Sequence, residues 1–341
     1  MDAFLQRVWY ERRSQWCSLL LLPLSWLFGA VAAFRRTAYR RGWFRSFRVT
    51  RPVIVVGNIT VGGTGKTPMT IWLAEQLHAR GLRVGIVLRG YGGTSTQWPC
   101  DVTDDTSAEE VGDEAVLLAK RTGALVVAGP DRVAAANRAI ESGAEVIVCD
   151  DGLQHYRLAR DLEIAVIDER RGLGNGRLLP SGPLREPASR LRNVDLKVLT
   201  RRSVSAGAGT RAWSAGAVIA SPVLVDAVSL KTGERRPLSS FMGQRVHALA
   251  GIGNPQAFFD ALSALGLTVD PHPLPDHARP TDIVFPEGVP VLMTEKDAVK
   301  CRPGSDASRL ANCWAVRLDI TMSEIDAQAV RRLLDRHTDA K

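Results

Sequence analysis

Short apolar runs alternate with longer amphipathic stretches between residues 53 and 199. The apolar runs are Val53–Val56, Val84–Leu88, Leu125–Ala128, Val146–Cys149, Ile164–Ile167 and Leu196–Leu199. Their short length and nearly unbroken apolar character predict strands that are buried on both faces. Helix-like segments lie between several of them, at Met69–Ala79, Asp113–Arg121 and Arg132–Ser142. This alternation predicts an α/β fold with a mostly parallel sheet that helices cover on both faces.

The later part of the chain resumes this pattern after a stretch that lacks periodicity. Residues Arg201–Gly216 are rich in Gly, Ala and Ser, a composition that is typical of a linker. Further strands are predicted near Val223–Val225, Val246–Ala250, Val291–Met293 and Trp314–Leu318. We therefore expect a second, smaller α/β region after the linker.

The N-terminal part contains an apolar run, Cys17–Phe34, whose 18 residues carry no charge. A helix that spans a bilayer usually needs about 20 apolar residues, and Pro23 interrupts this run. Arginine pairs flank it on both sides, at Arg12–Arg13 and Arg35–Arg36. Basic residues on both sides favour a helix that lies in the membrane interface over one that crosses the membrane. The alternative is a helix buried in the protein core.

Composition and charge bound the class of protein. A chain of 341 residues, 45% apolar and 23% charged, is long enough for two globular domains. The formal net charge is +8, and seven arginines crowd the segment from Arg35 to Arg51. Such a cluster suits anionic lipid or nucleic acid and does not by itself distinguish them. A solvated basic face is the simpler interpretation.

The five cysteines form no C-x-x-C pair and have no histidine partners at zinc-finger spacing. This pattern is typical of reduced thiols that fill the core of a cytosolic protein. The sequence therefore predicts no structural metal site.

A glycine-rich loop follows the first predicted strand and precedes a predicted helix. Its residues are Thr60, Val61, Gly62, Gly63, Thr64, Gly65, Lys66 and Thr67. In such a loop the backbone N–H groups and the helix N-terminus bind nucleotide phosphates. Lys66 is expected to reach the β- and γ-phosphates, and the Thr67 hydroxyl to hold Mg²⁺. The strict motif has glycine where this chain has Thr60, so only the entry to the loop differs.

Two adjacent carboxylates, Asp150 and Asp151, end the predicted strand that begins at Val146. A phosphate-binding loop of this kind needs a carboxylate at the end of a neighbouring strand to hold Mg²⁺, directly or through water. Capping of the next element is the alternative role. The sequence does not decide which of the two aspartates contacts the metal.

Other candidate residues are less well defined by their local pattern. Asp113 begins a predicted helix, where N-capping is its ordinary role. His277 follows Asp276 in a proline-rich loop and is either a base or a surface histidine. Arg185 and Glu186 lie in a stiff loop of prolines and glycines that either closes over a phosphate or is purely structural.

Taken together, these motifs resemble those of the tetraacyldisaccharide 4′-kinases of lipid A biosynthesis. The matching stretches, in order, are Gly57–Asn58, Gly62–Pro68, Arg89–Gly93, Val111–Glu114, Asp150–His155, Leu178–Pro187, Ala250–Pro255, Pro275–His277 and Met293–Ala298. One such motif is weak, but this many in the family's order is specific. Thr60 is tolerated within this family.

The resemblance implies transfer of the γ-phosphoryl group of ATP to the 4′-hydroxyl of a tetraacyldisaccharide 1-phosphate. It implies that Asp113 is the general base, paired with His277, and that Arg185 lies near the γ-phosphate. It places Asp150, Asp151 and Glu186 around Mg²⁺ and the phosphates. The implied partners are the acylated lipid and the cytoplasmic surface of the bacterial inner membrane, with no nucleic acid and no obligate protein partner.

The resemblance also implies two α/β domains with the active site in the cleft between them. We therefore predict an apolar helix and basic linker over residues 1–50 and a P-loop nucleotide-binding domain over residues 51–205. Residues 206–341 are predicted to form the second domain, which brings His277 to Asp113.

Two other functions compete with this interpretation. Membrane-associated switch ATPases of the partition and cell-division kind share the Gly-Gly-Thr-Gly-Lys-Thr loop. Those loops have a lysine directly before the two glycines, where this chain has Val61. A non-catalytic nucleotide-binding membrane protein is the third possibility, and it would not need Asp113 or His277.

Overall fold

The computed structural model describes residues 3–10, 15–103, 105–201, 212–275, 280, 283, 285, 288–301 and 312–338. The helices are α1 (Ala3–Tyr10), α2 (Gln15–Leu20), α3 (Leu22–Arg40), α4 (Lys66–His78), α5 (Ala108–Val111), α6 (Asp113–Thr122), α7 (Arg132–Glu141), α8 (Pro255–Ala264), α9 (Glu295–Ala298) and α10 (Glu324–Thr338). The strands of the first half are β1 (Val53–Gly57), β2 (Val84–Leu88), β3 (Cys100–Val102), β4 (Leu125–Ala128), β5 (Val146–Asp150), β6 (Leu162–Asp168) and β7 (Leu196–Thr200). Those of the second half are β8 (Val218–Ser229), β9 (Arg235–Pro237), β10 (Arg245–Ala250), β11 (Thr268–Pro273), β12 (Val291–Thr294) and β13 (Cys313–Met322).

The described strands form one 13-stranded sheet in the order β11-β10-β12-β13-β8-β7-β6-β1-β5-β2-β4-β3, with β9 paired to β8. Strand β1 is central and pairs in parallel with β5 on one side and β6 on the other. Pairing is antiparallel only for β3 with β4, β8 with β13, and β8 with β9. The predicted mostly parallel α/β fold is therefore confirmed, as are the six strands predicted between residues 53 and 199.

The sheet continues from the first half of the chain into the second. Strand β8 pairs in parallel with β7, with Val198 opposite Val218, and antiparallel with β13. The predicted boundary near residue 205 and most of the predicted linker lie outside the described residues. The two predicted α/β regions thus share one sheet, and the division into domains stays an interpretation.

Apolar side chains cover both faces of the sheet. Helices α4 and α6 supply one face of the first half, and α7 supplies the opposite face. The last helix, α10, returns to the first half and buries Val330 and Leu334 in the same core as α4. The C-terminal end of the chain therefore stabilises the helix that follows the glycine loop.

The N-terminal apolar run is divided between two helices rather than forming one. Helix α2 ends at Leu20 and α3 begins at Leu22, with Pro23 in the first turn of α3, where a missing N–H is tolerated. Ser25 is a buried residue of α3, and its Oγ donates a 2.8 Å hydrogen bond to the Leu178 carbonyl. No helix within the described part of the chain is long and apolar enough to cross a membrane.

Candidate active site

The glycine loop joins β1, at the centre of the sheet, to the beginning of α4. Gly65 is the N-cap of α4 and has a φ of 88°, in the left-handed region that glycine adopts at low cost. A Cβ atom at this position would also lie 2.8 Å from Thr200 Cγ2. The loop can therefore turn its backbone N–H groups toward one point only because this position is glycine.

Side chains and a neighbouring segment hold the loop in place. Asn58 Nδ2 donates to Thr64 Oγ1 at 3.1 Å, and Thr200 Oγ1 donates to the Thr64 carbonyl at 2.9 Å. The Val61 N–H donates to the Pro183 carbonyl at 2.8 Å. The loop is thus fixed in shape by its own protein contacts, which lowers the entropic cost of binding a phosphate chain.

The segment after Pro183 brings Arg185 to the glycine loop. The Arg185 N–H donates to the Ile59 carbonyl at 2.7 Å, which fixes the backbone of this segment beside the loop. Arg185 Nη1 lies 3.1 Å from Asp151 Oδ1 and 3.0 Å from Asp151 Oδ2. The stiff loop predicted from its prolines and glycines therefore presents its arginine to the strand-end carboxylates.

Asp150 ends β5 and is buried beside the glycine loop. Thr70 Oγ1 donates a 2.8 Å hydrogen bond to Asp150 Oδ1. Burial raises the pKa of Asp150 to about 7, and the Glu114 and Asp151 carboxylates add to the rise against Lys66 and Thr70. A buried carboxylate in this state is stabilised in its ionised form by any cation that binds next to it.

Asp151 is in a different electrostatic state from its neighbour. Burial opposes ionisation of Asp151, but Lys66 and Arg185 outweigh it, so the pKa of Asp151 is lower than its ordinary value. Lys66 Nζ lies 3.5 Å from Asp151 Oδ1. The backbone of Asp151 has a φ of 48°, which is uncommon for a residue other than glycine and is typical of functional sites. Asp150 and Asp151 thus lie beside Lys66 and Arg185, while the roles predicted for these residues toward Mg²⁺ and phosphate stay predictions.

Glu186 lies in a network of its own beside this group. Gln154 Nε2 donates to Glu186 Oε2 at 3.0 Å, and the Tyr156 hydroxyl donates to Glu186 Oε1. Arg190 Nε lies 3.8 Å from Glu186 Oε2. Gln154 Nε2 also donates to the Asn58 carbonyl at 2.9 Å, so Glu186 is connected to the beginning of the glycine loop. The predicted role of Glu186 near Mg²⁺ stays a prediction.

Asp113 is the first residue of α6, the helix that follows β3 and α5 in the chain. Its Oδ1 accepts a 2.9 Å hydrogen bond from the Glu114 N–H, and Lys296 Nζ and Lys300 Nζ lie 3.9 Å and 4.0 Å from its Oδ2. Burial raises the pKa of Asp113; Lys296 and Lys300 oppose the rise and Glu114 adds to it. A buried carboxylate with a raised pKa is better suited to accept a proton than an exposed one.

The sequence did not predict that Lys296 and Lys300 lie beside Asp113. Lys296 lies in the Met293–Ala298 motif, but nothing in its local pattern points to a residue on α6. Lys296 Nζ donates to Glu114 Oε1 at 3.2 Å, which ties the second half of the chain to the start of α6. His277 and Asp276 lie outside the described residues, so the predicted pairing of His277 with Asp113 stays a prediction.

The chemistry of the donors at the loop matches Mg²⁺. The Thr67 hydroxyl, at the second position of α4, and the Asp150 and Asp151 carboxylates are hard oxygen ligands of the type this ion prefers. Burial, with the Glu114 and Asp151 carboxylates, raises the pKa of Asp150, and a divalent cation bound beside it would favour its ionised form. The fold and the glycine loop at the centre of the sheet are those of a P-loop nucleotide-binding protein of the α/β class.

Comparison with known proteins narrows this class to one family. The family model for LpxK, tetraacyldisaccharide-1-P 4′-kinase, matches residues 17–339. The tetraacyldisaccharide 4′-kinase of Stenotrophomonas maltophilia (strain R551-3) is 50% identical over 297 residues, covering 86% of this chain and 87% of that protein. The tetraacyldisaccharide 4′-kinase of Nitrosococcus oceani is 46% identical over 340 residues, covering 98% of this chain and 95% of that protein. The chain belongs to the tetraacyldisaccharide 4′-kinase family.

The fold agrees with a solved structure from the same family. The crystal structure of LpxK from Aquifex aeolicus in complex with ATP superposes with a TM-score of 0.80 at 32% sequence identity. The match covers 94% of this chain and 99% of that one. The predicted family resemblance is therefore confirmed over nearly the whole chain.

Proposed function

We propose that this protein transfers the γ-phosphoryl group of ATP to the 4′-hydroxyl of a tetraacyldisaccharide 1-phosphate. The observation that carries the proposal is the position of Asp113. Its partly buried carboxyl group lies at the beginning of α6, and the adjacent Glu114 carboxylate raises the pKa of Asp150 at the glycine loop. Asp113 would thus serve as an acceptor-side base near the phosphate-binding site, an arrangement that a phosphotransferase needs and a simple nucleotide-binding protein does not.

On the donor side, the loop from Thr60 to Gly65 surrounds the phosphates with backbone N–H groups. Lys66 then lies at the β- and γ-phosphates, and Arg185 at the γ-phosphate. Lys66 and Arg185 both lie within 3.5 Å of Asp151 in this structure. When ATP binds, its phosphate oxygens would replace the Asp151 carboxylate as the partner of these two side chains. Since both cations are held in position beforehand, they stabilise the charge of the transition state with little reorganisation.

Thr67, Asp150 and Asp151 would hold Mg²⁺, and Glu186 is placed to support this group through Gln154. Bound Mg²⁺ neutralises the charge that develops on the β- and γ-phosphate oxygens. The hydrogen bond from Thr70 orients Asp150 and favours its ionised form against the effect of burial. Glu186 would act only as a supporting residue of this Mg²⁺-binding group.

On the acceptor side, the 4′-hydroxyl oxygen forms a bond to the γ-phosphorus, and the bond from that phosphorus to the bridging oxygen of ADP breaks. The hydroxyl proton passes to the Asp113 carboxylate, with His277 as its predicted partner. A positioned base of this kind accelerates a reaction by roughly 10²–10⁴. Lys296 and Lys300 favour the ionised form of Asp113, since both lower its pKa against the effect of burial.

We further propose that the protein acts at the cytoplasmic surface of the inner membrane. Helices α2 and α3 and the segment after them expose large apolar side chains: Trp16, Leu19, Leu20, Leu24, Trp26, Leu27, Val31, Phe34, Trp43 and Phe44. The basic segment from Arg35 to Arg51 follows directly in the chain. An apolar face with adjacent arginines is what an anionic membrane surface binds.

Incubation with γ-labelled ATP and the disaccharide 1-phosphate lipid tests the activity directly. Label should appear in the lipid with the wild type and should fall by orders of magnitude with Lys66→Ala. Hydrolysis of ATP without label in the lipid would instead favour a switch ATPase. An absence of both reactions, with ATP still bound, would favour a non-catalytic nucleotide-binding protein.

Sedimentation with lipid vesicles tests the location. The wild type should sediment with vesicles that contain anionic lipid, and Trp26→Asp together with Leu27→Asp should reduce the bound fraction. Ile325→Asp is the matched control, because Ile325 is an equally exposed apolar side chain on α10. Equal binding by the double variant and the control would contradict a membrane role for α3.

A further inference from the structure

Two histidines and an aspartate meet at the edge of the sheet in the second half of the chain. His247 lies on β10, and Asp270 and His272 lie on the edge strand β11. The parallel register sets His247 opposite Asp270, and His272 is two residues further along the same strand. Side chains two residues apart on a strand share one face, so all three groups point to the same side of the sheet.

The ligand atoms of this cluster have the spacing of a metal site. His247 Nδ1 lies 3.1 Å from His272 Nε2 and 3.3 Å from Asp270 Oδ2. One ligand atom from each of the three residues lies within 4.8 Å of the other two. Ligands at about 2.0–2.1 Å from a tetrahedral Zn²⁺ are separated from one another by about 3.3 Å. The two short distances agree with that separation.

A single hydrogen bond does not satisfy the facing polar atoms of His247, Asp270 and His272 together. If His247 Nδ1 carries a hydrogen, that hydrogen can point fully at only one of its two neighbours. If Nδ1 is unprotonated, its lone pair faces an oxygen of the Asp270 carboxylate at 3.3 Å, which is repulsive. A cation between the three groups removes the conflict, because it accepts all three lone pairs at once.

The surroundings of the cluster restrict the two imidazoles, while two of the three ligands are partly exposed to solvent. The Phe285 ring centroid lies 4.9 Å from the His247 ring and 5.1 Å from the His272 ring, which limits rotation of both imidazoles. His247 is buried, whereas Asp270 and His272 are partly exposed. Arg245 Nη2 also lies 3.3 Å from Asp270 Oδ2, but its side chain is 71% exposed and can turn to solvent.

We propose that His247, Asp270 and His272 bind a divalent transition-metal ion, such as Zn²⁺ or Co²⁺, with water in the fourth position. Imidazole nitrogens select these ions over Mg²⁺, which prefers oxygen ligands. The site is therefore separate in place and in chemistry from the nucleotide site, and it does not depend on the proposed function.

The test uses the full chain after removal of metals with a chelator and dialysis into excess Mg²⁺, which saturates the oxygen-rich nucleotide site. Addition of Co²⁺ should give the intense visible absorption of a tetrahedral ion, and equilibrium dialysis should show one bound Zn²⁺ per chain. His272→Gln should weaken Zn²⁺ binding by at least the roughly 10–100-fold that loss of a supporting group around a metal ligand costs. His337→Gln, at the end of α10, is the matched control and should bind as the wild type does.

Absence of Zn²⁺ binding to the wild type would overturn the proposal, and so would equal binding by the wild type and His272→Gln. Asp270→Asn serves as a second variant, since it preserves shape and removes one anionic ligand; it too should weaken binding. Circular dichroism of each variant without metal establishes that the fold is retained, so that lost binding reports the ligand and not unfolding.

Discussion

Thr70 Oγ1 donates a 2.8 Å hydrogen bond to Asp150 Oδ1, and both side chains are buried. Thr70 lies one helical turn after Lys66 on α4, the helix that begins at the glycine loop. The same helix therefore carries the lysine proposed to bind the phosphates and the hydroxyl that donates to the carboxylate at the end of the neighbouring strand. Because burial raises the pKa of Asp150 to about 7, this hydrogen bond favours the ionised form that a metal ion needs.

Replacement of Thr70 should therefore change the dependence on Mg²⁺ more than the affinity for ATP. Thr70→Val keeps the shape and removes the hydroxyl, and a hydrogen bond to a charged group contributes about 1.5–3 kcal/mol. We expect the Mg²⁺ concentration for half-maximal phosphate transfer to rise by about tenfold or more. Thr70→Ser keeps the hydroxyl and should behave as the wild type. An unchanged Mg²⁺ dependence in Thr70→Val would show that Asp150 does not require this hydrogen bond.

Asp113→Asn should remove phosphate transfer without removing the nucleotide. The substitution preserves the size of the side chain and eliminates its ability to accept a proton, so the rate should fall by roughly 10²–10⁴. ATP affinity, measured by calorimetry, should stay close to that of the wild type, because Asp113 lies on α6 and not on the glycine loop. A variant that transfers phosphate at the wild-type rate would require another base.

The elements near the nucleotide could be predicted because their signals are local. An apolar strand, a glycine loop that ends in Lys66 and two strand-end aspartates each occupy a few consecutive residues. Thr70 gave no such signal, because a threonine inside a helix has many ordinary explanations. The role of Asp113 required the family resemblance, since N-capping explains its position equally well from the sequence alone.

Contacts between distant parts of the chain could not be predicted from local patterns. The pairing of β7 with β8, which makes one sheet of two predicted regions, depends on strands on either side of an aperiodic stretch. The approach of Lys296 to Asp113 depends on the same continuous sheet. The cluster around His247 could not be predicted from the sequence for a related reason. Its ligands are far apart in sequence, and only the register of β10 with β11 brings them together.

A partly buried group of charges links the two halves of the chain, and its loss should lower the stability. Arg121 Nη1 donates to both carboxylate oxygens of Glu295 at 2.7 Å, and Arg121 Nη2 donates to Asp319. The Leu318 N–H also donates to Glu295 at 3.0 Å. Glu295→Ala leaves the partly buried Arg121 with only one carboxylate partner and the Leu318 N–H without its acceptor. Breaking a fully buried ion pair costs about 3–5 kcal/mol, and we expect less here because the group is only partly buried and Asp319 remains.

Urea denaturation of Glu295→Ala measures this loss of unfolding free energy. Glu234→Ala is the control, since Glu234 forms an ion pair with Arg236 on an exposed surface and its removal should leave the stability unchanged. Equal stability of both variants would mean that the contact between the two halves does not depend on Glu295.

His155 should make the protein less stable in mild acid. Burial, together with Arg132 and Arg160, lowers the pKa of His155 from 6.5 to about 4. Below pH 6.5 the unfolded chain therefore binds a proton that the folded chain does not, and folding stability falls as the pH drops toward 4. His155→Gln should flatten this part of the profile, measured by urea denaturation between pH 7 and pH 4. An unchanged slope would show that other groups cause the loss.

Gly112 should tolerate no side chain, because it sets the position of Asp113. Its φ is 89° and its ψ is 150°, a conformation that residues other than glycine rarely adopt. A Cβ atom there would lie 2.3 Å from the Tyr91 carbonyl oxygen, a backbone atom that cannot turn away.

Gly112→Ala must therefore shift the beginning of α6. We expect a loss of stability above the roughly 1–2 kcal/mol that a left-handed backbone costs an ordinary residue. Phosphate transfer should approach that of Asp113→Asn.

Gly81→Ala separates the two causes of this effect. Gly81 has a φ of 78°, but no atom lies within 4 Å of the place its Cβ would occupy. Gly81→Ala should therefore show the backbone cost alone and keep full phosphate transfer. Urea denaturation and the labelled-ATP assay on both variants make the comparison. If the two alanines lowered stability equally and left transfer intact, the contact with Tyr91 would not be what holds Asp113 in place.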